Sequence, residues 1–123
     1  MITQDQLKDV LERAEALYRY LDIDKKQVEF EEEQLRTQAP DFWDDPSRAQ
    51  AQMKKVKSIE KWLTGYKDVR MFADELQLAF DFYHDEMVTE EEVDADYEKA
   101  IKAIEDLELK NMLRQVKTRW MLC

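Results

Sequence analysis

One glycine and two prolines serve the whole 123-residue chain. A β-rich fold needs many tight turns, and turns draw on both residue types. Their scarcity argues against sheets and for a few long helices. A single glycine also rules out a glycine-rich phosphate loop. The one cysteine, Cys123, is the last residue. That excludes an intrachain disulfide and a thiolate metal cluster, and it suits a reducing compartment. No apolar run is long enough to cross a bilayer. The first residues lack the basic and apolar regions of a signal peptide. A cytoplasmic location is expected.

What is abundant is charge. Charged residues make up 39% of the chain and apolar residues 44%, and the formal net charge is −10. The apolar share is too high for a disordered chain. The negative balance disfavours direct, sequence-specific nucleic-acid binding through a basic surface. It leaves two readings open: a solvated acidic face that keeps the domain soluble, and a surface for a basic protein partner.

Periodicity and caps predict three long helices. Thr3 and Gln6 stand at the spacing of a capping box. Leu7, Ala14, Leu21, Val28 and Leu35 then repeat every seven residues, with Val10 and Leu17 at companion positions. This heptad seam predicts one helix from about 3 to 37, bent at most near 22–24. Pro40 ends it, because the residue before a proline is pushed out of helical geometry. Phe42 and Trp43 in the following connector are expected to pin that loop onto the bundle.

Asp45 as N-cap and Pro46 at the first helical position open the second helix, expected over 46–86. Its seams are Ile59, Tyr66, Ala73, Phe80 and Met87, and Trp62, Val69, Leu76 and Tyr83. Trp62 is read as a packing residue. Gly65 sits inside this pattern without shifting its phase, so the helix is expected to run through it. The glycine then marks a close helix approach or is simply tolerated. Thr89 and Glu92 form a second capping box for a third helix over 90–114. Its buried stripe is Val93, Tyr97, Ala100, Ile101, Ile104 and Leu107. The predicted fold is all-α, an antiparallel up-down-up bundle of three long helices.

No catalytic, cofactor-binding or metal-ligating residue emerges. His84, the only histidine, has no local nucleophile to form a dyad or triad. It lies near a helix C-terminus, where a protonated imidazole meets the carbonyl end of the dipole. A di-metal bundle site would need a Glu-x-x-His motif, and the residue three before His84 is Asp81. Asp41, Asp44 and Asp45 lack the ligand spacing of an EF-hand loop. The remaining cluster of acids, Glu29 to Glu33, is a charged patch. The six methionines suit either an adaptable binding surface or core gaps.

Two segments carry a family resemblance. One is Tyr20-Leu21-Asp22-Ile23-Asp24-Lys25-Lys26. The other runs Pro40-Asp41-Phe42-Trp43-Asp44-Asp45-Pro46-Ser47-Arg48-Ala49-Gln50, an aromatic pair flanked by acids and followed by Pro and Arg-Ala-Gln. Together they resemble the N-terminal helical domain of bacterial class I peptide chain release factors, of the release factor 2 type. Leu107 to Arg114 looks like the exit of that domain, so the resemblance covers about 3–115.

The resemblance implies a helical binding module of a translation termination factor for the stop codons UAA and UGA. It implies contact with the ribosome at the large-subunit stalk base and its protein L11. It also implies interplay with the GTPase release factor 3 and with the remaining release-factor domains. The family's codon-reading Ser-Pro-Phe and hydrolytic Gly-Gly-Gln are absent from this sequence. No enzyme activity, cofactor or metal is therefore expected. Residues 1–115 are assigned to the release-factor domain. Residues 116–123, Val-Lys-Thr-Arg-Trp-Met-Leu-Cys, depart from the polar stretch expected there and form an atypical tail; a change of reading frame would produce one.

Two rival readings stand beside this one. An unrelated acidic helical adaptor would bind some other protein partner. A complete small enzyme would need a buried cluster of perturbed titratable groups around a pocket.

Overall fold

The structure is a computed structural model that describes the backbone of residues 1–122 and the side chains of residues 1–114. It is all-α, with no strand among the described residues. Four long helices follow one another: α1 (Gln4–Tyr20), α2 (Ile23–Arg36), α3 (Pro46–His84) and α4 (Glu90–Leu122), with a 3-10 turn at Phe42–Asp44 between α2 and α3. They form two compact units, one of Met1–Tyr20 with Gly65–Cys123, the other of Leu21–Thr64.

The caps read from the sequence are in place. Thr3 N–H donates to Gln6 Oε1 at 2.8 Å, and Gln6 N–H donates back to Thr3 Oγ1 at 3.2 Å. Arg48 N–H donates to Asp45 Oδ1 at 3.2 Å behind Pro46. Glu92 N–H donates to Thr89 Oγ1 at 3.3 Å. Each cap satisfies amides that the first turn of a helix leaves without a partner.

The first predicted helix is two helices. Asp22 adopts the left-handed conformation, with φ 49° and ψ 55°, between α1 and α2. Aspartate tolerates this region better than most residues that carry a Cβ. One such residue breaks the helical phase, so a seven-residue spacing counted across it no longer marks one face. Leu21 is fully buried, but Val28 and Leu35 are 54% and 64% exposed. The heptad seam thus ends where the phase was expected to continue.

The second predicted helix runs through Gly65 as expected but ends at His84, short of residue 86. Glu86 takes φ 61°. Its N–H donates to the Tyr83 carbonyl at 3.0 Å, and Met87 N–H donates to the Phe82 carbonyl at 2.9 Å. This is a Schellman stop, with glutamate where glycine is usual. Met87, assigned to a seam, lies beyond the stop and is 70% exposed.

The larger unit is an up-down-up bundle of α1, the second part of α3 and α4, shorter than the bundle expected over 3–37, 46–86 and 90–114. Leu7, Val10, Ala14 and Leu17 of α1 are buried with Val69, Ala73, Leu76 and Phe80 of α3 and with Val93, Ala100, Ile104 and Leu107 of α4. Ile2 N–H donates to Asp94 Oδ1 at 3.1 Å, and Arg13 bonds Glu108, so α1 and α4 run parallel. The Tyr18 and Tyr66 rings meet at 5.4 Å near the end of α1, and the short turn closed by Tyr83 and Glu90 reverses the chain into α4, so α3 runs antiparallel to both. A Cβ on Gly65 would stand 3.0 Å from Leu107 Cδ1. The chain's one glycine therefore marks the close approach of α3 to α4.

The smaller unit is a helical hairpin of α2 and the first part of α3. Leu21, Ala49, Val56 and Ile59 are buried there, as is one charged residue, Glu33. Trp62 is half-buried, with the Lys26 ammonium 6.0 Å from its ring centroid. Of the two connector aromatics, Phe42 is half-buried beside Ala49 and Gln52, whereas Trp43 does not pin the loop as expected. Phe42 and Trp43 pack edge-on against each other at 4.8 Å, and Trp43 remains 67% exposed.

Candidate functional site

Each residue weighed for chemistry has a structural place. His84 is exposed at the end of α3, its ring edge-on to Phe80 at 5.2 Å. Asp45 caps α3, and Asp44 N–H donates to the Asp41 carbonyl at 3.1 Å within the 3-10 turn. Among the described residues no group of three or more His, Cys, Asp or Glu is arranged to hold a metal ion. The side chains of the 116–123 tail lie outside the described residues.

The acidic patch Glu29 to Glu33 splits into one inward and several outward members. Glu33 is only 6% exposed. Gln52 Nε2 donates to its carboxylate at 2.7 Å and to its backbone carbonyl at 2.8 Å. Lys55 and Arg36 approach the other carboxylate oxygen at 3.3 and 3.6 Å. The Gln52 hydrogen bond does most to hold the Glu33 carboxyl below its ordinary range; burial opposes it, and the two cations reinforce it. A buried charge needs such partners. Sequence reading missed this cluster because its members lie on two helices 19 residues apart, with no local spacing rule to join them.

A second ionic tie links the two parallel helices of the larger unit. Arg13 bonds Glu108 through Nε at 3.3 Å and through one terminal nitrogen at 2.5 Å, a two-point grip. The hydrogen bond to Glu108 raises the Arg13 pKa further above its ordinary value. At the α3–α4 turn, the Tyr83 hydroxyl donates to Glu90 Oε1 at 2.9 Å. That bond is the main cause of a raised Tyr83 pKa. All three arrangements fasten helices together. None aims a nucleophile or a base into an enclosed space.

Exposed apolar residues in the larger unit lie on α4, at Leu109, Met112 and Leu113, and on α3, opposite its core face. Met71, Leu78 and Phe82 are 45%, 53% and 41% exposed. Val69, Leu76 and Phe80 on the other side of the same helix are buried. α3 is therefore apolar on two faces, which period counting alone could not separate.

The sequence matches the PCRF domain over residues 26–119. The chain belongs to the PCRF domain family. The PCRF match takes in all of α3, the Glu33 cluster and the apolar outer face, and it leaves α1 outside. A peptide chain release factor 2 from Tolumonas auensis is 34% identical over 115 residues, 88% of this chain and 30% of that protein. The peptide chain release factor 2 from Colwellia psychrerythraea is 33% identical over 114 residues, again 30% of that protein. The one from Neorickettsia sennetsu is 36% identical over 74 residues, 60% of this chain. This PCRF chain thus spans under a third of the curated relatives it matches most fully. Among the described residues no helix is long and apolar enough to cross a membrane.

Proposed function

We propose that this chain is a translation-termination binding module, the N-terminal helical domain of a protein resembling release factor 2, with no catalytic role of its own. The carrying observation is the PCRF match over three quarters of the chain. In this reading residues 1–115 are the domain and 116–123 a divergent tail. The module contacts the large-subunit stalk base and its protein L11, and bears on the action of release factor 3. The parent protein would act at UAA and UGA from domains beyond this one. A net charge of −10 suits approach to a basic ribosomal protein, because complementary charge speeds encounter. The location is cytoplasmic, where ribosomes work.

Co-sedimentation of the purified chain with ribosomes, with and without L11, tests this. Binding that falls when L11 is stripped is the expected result; equal recovery in both preparations refutes the stalk-base assignment. The chain alone is expected to leave peptidyl-tRNA intact on ribosomes stalled at a stop codon. Codon-dependent peptide release by the purified chain would overturn the non-catalytic reading.

A further inference from the structure

We infer that the outer face of α3 in the larger unit is a docking surface for a basic, amphipathic helical segment of a partner protein. The apolar element is the stripe Met71, Leu78 and Phe82. Steps of seven and four residues keep these three on one side of a helix. They point away from the buried side that Val69, Leu76 and Phe80 define. Two large aliphatic chains and a phenyl ring there are 41–53% exposed to water. Leu78 and Phe82 stand one turn apart, and Met71 lies two turns before Leu78 with Asp74 and Glu75 on the turn between; apolar residues gathered on one face mark an interaction surface more often than scattered single residues do.

Charge selects the occupant. Asp74, Glu75 and Asp81 rim the stripe on both sides. Between Lys67 and Glu86 the chain carries six acids and two bases. One of those bases, Arg70, is already paired with Asp74 at 3.4 Å. An apolar stripe between carboxylates matches a helix with leucine-like residues on one side and lysine or arginine along its flanks. The same carboxylates repel a nucleic-acid backbone. Methionine at one end adds a side chain that adapts its shape to the partner. This inference rests on the reading of the chain as a binding module and supplies the surface that reading lacks.

The test uses the full chain and two probes. The first is a synthetic helical peptide of leucine and lysine, with a control in which serine replaces leucine. The second is the ribosome. The variant is Leu78→Gln with Phe82→Gln; glutamine forms helices well, so helicity and melting by circular dichroism should be unchanged. The leucine–lysine peptide should bind the natural chain and lose about tenfold or more in affinity for the double variant, or about 1.4 kcal/mol. The serine control should bind both weakly. Neutralising Asp74, Glu75 and Asp81 to their amides should remove most of the salt dependence.

Equal peptide affinity for the natural chain and the double variant would overturn the proposal. So would self-association of the natural chain that the variant loses, since a second copy would then be the occupant. Stripe-dependent peptide binding without ribosome binding would leave the docking surface standing and bring down the ribosomal reading alone. Ribosome binding unchanged in the variant, with no stripe-dependent peptide binding, would do the reverse.

Discussion

The amide nitrogen of Gln52 donates to both the side chain and the backbone carbonyl of Glu33, at 2.7 and 2.8 Å. One neutral side chain on α3 thereby holds a buried carboxylate and satisfies a carbonyl of α2. The Glu33 pKa is lowered, chiefly by this bond. A carboxyl whose folded pKa lies below its unfolded one adds stability above the unfolded value, about 4.3. That stability is lost as pH falls through the folded value. Replacing Glu33 by Gln should therefore lower the melting temperature at neutral pH. The gap to the natural chain should close once the pH drops below the ordinary carboxylate range. A gap of constant size from neutral to acid pH would count against the ionised form being the one the cluster holds.

Glu86 stops α3 in a conformation that disfavours a Cβ. Glycine there should stabilise the chain by about 0.5–1 kcal/mol, since the strain relieved exceeds the entropy gained by the unfolded state. The same replacement at Lys67, exposed within α3, should cost about 1 kcal/mol. Urea titrations of the two variants should move in opposite directions.

Gly65 and Leu107 share one space, with a Cβ at the glycine meeting Leu107 Cδ1 at 3.0 Å. Leucine at position 65 would overpack the α3–α4 contact and should destabilise by about 1–3 kcal/mol. Shortening Leu107 to alanine in the same chain should recover part of that loss, although Leu107→Ala alone is destabilising. Strictly additive effects in this double-mutant cycle would contradict the contact.

Leu76 and Leu78 are two positions apart on α3 with opposite surroundings, 0% and 53% exposed. Leu76→Ala should cost about 2–5 kcal/mol through lost burial and a cavity. Leu78→Ala should change stability by no more than about 0.5 kcal/mol. Thermal or urea unfolding of both variants checks the pair. Similar losses would mean that the outer face is covered within the chain.

Local rules read three of the four helix starts, because a side-chain cap is decided by a few neighbouring atoms; the start of α2 at Ile23 has no such cap. Thr3, Asp45 and Thr89 each accept an amide from the first turn that follows. The core of the larger unit was legible for a similar reason: Leu7, Val10, Ala14 and Leu17 keep one period within one helix. Reading failed where a single backbone torsion intervened. Asp22 and Glu86 take left-handed angles with no glycine to announce them, so the seam was carried on to Val28, Leu35 and Met87. It failed again where partners come from separate helices. Nothing near Glu33 in sequence names Gln52. Nor does periodicity tell a buried stripe from an exposed one when a helix such as α3 carries both.

The Tyr83–Glu90 bond gives the α3–α4 turn a chemical sensitivity. A phenol whose folded pKa is raised stabilises the structure at and below its ordinary titration near pH 10, and that help fades only in stronger alkali. Nitration of the ring, which acidifies the hydroxyl, would bring the loss down toward neutrality. The colour change of the nitrophenol would then report when the two helix ends let go.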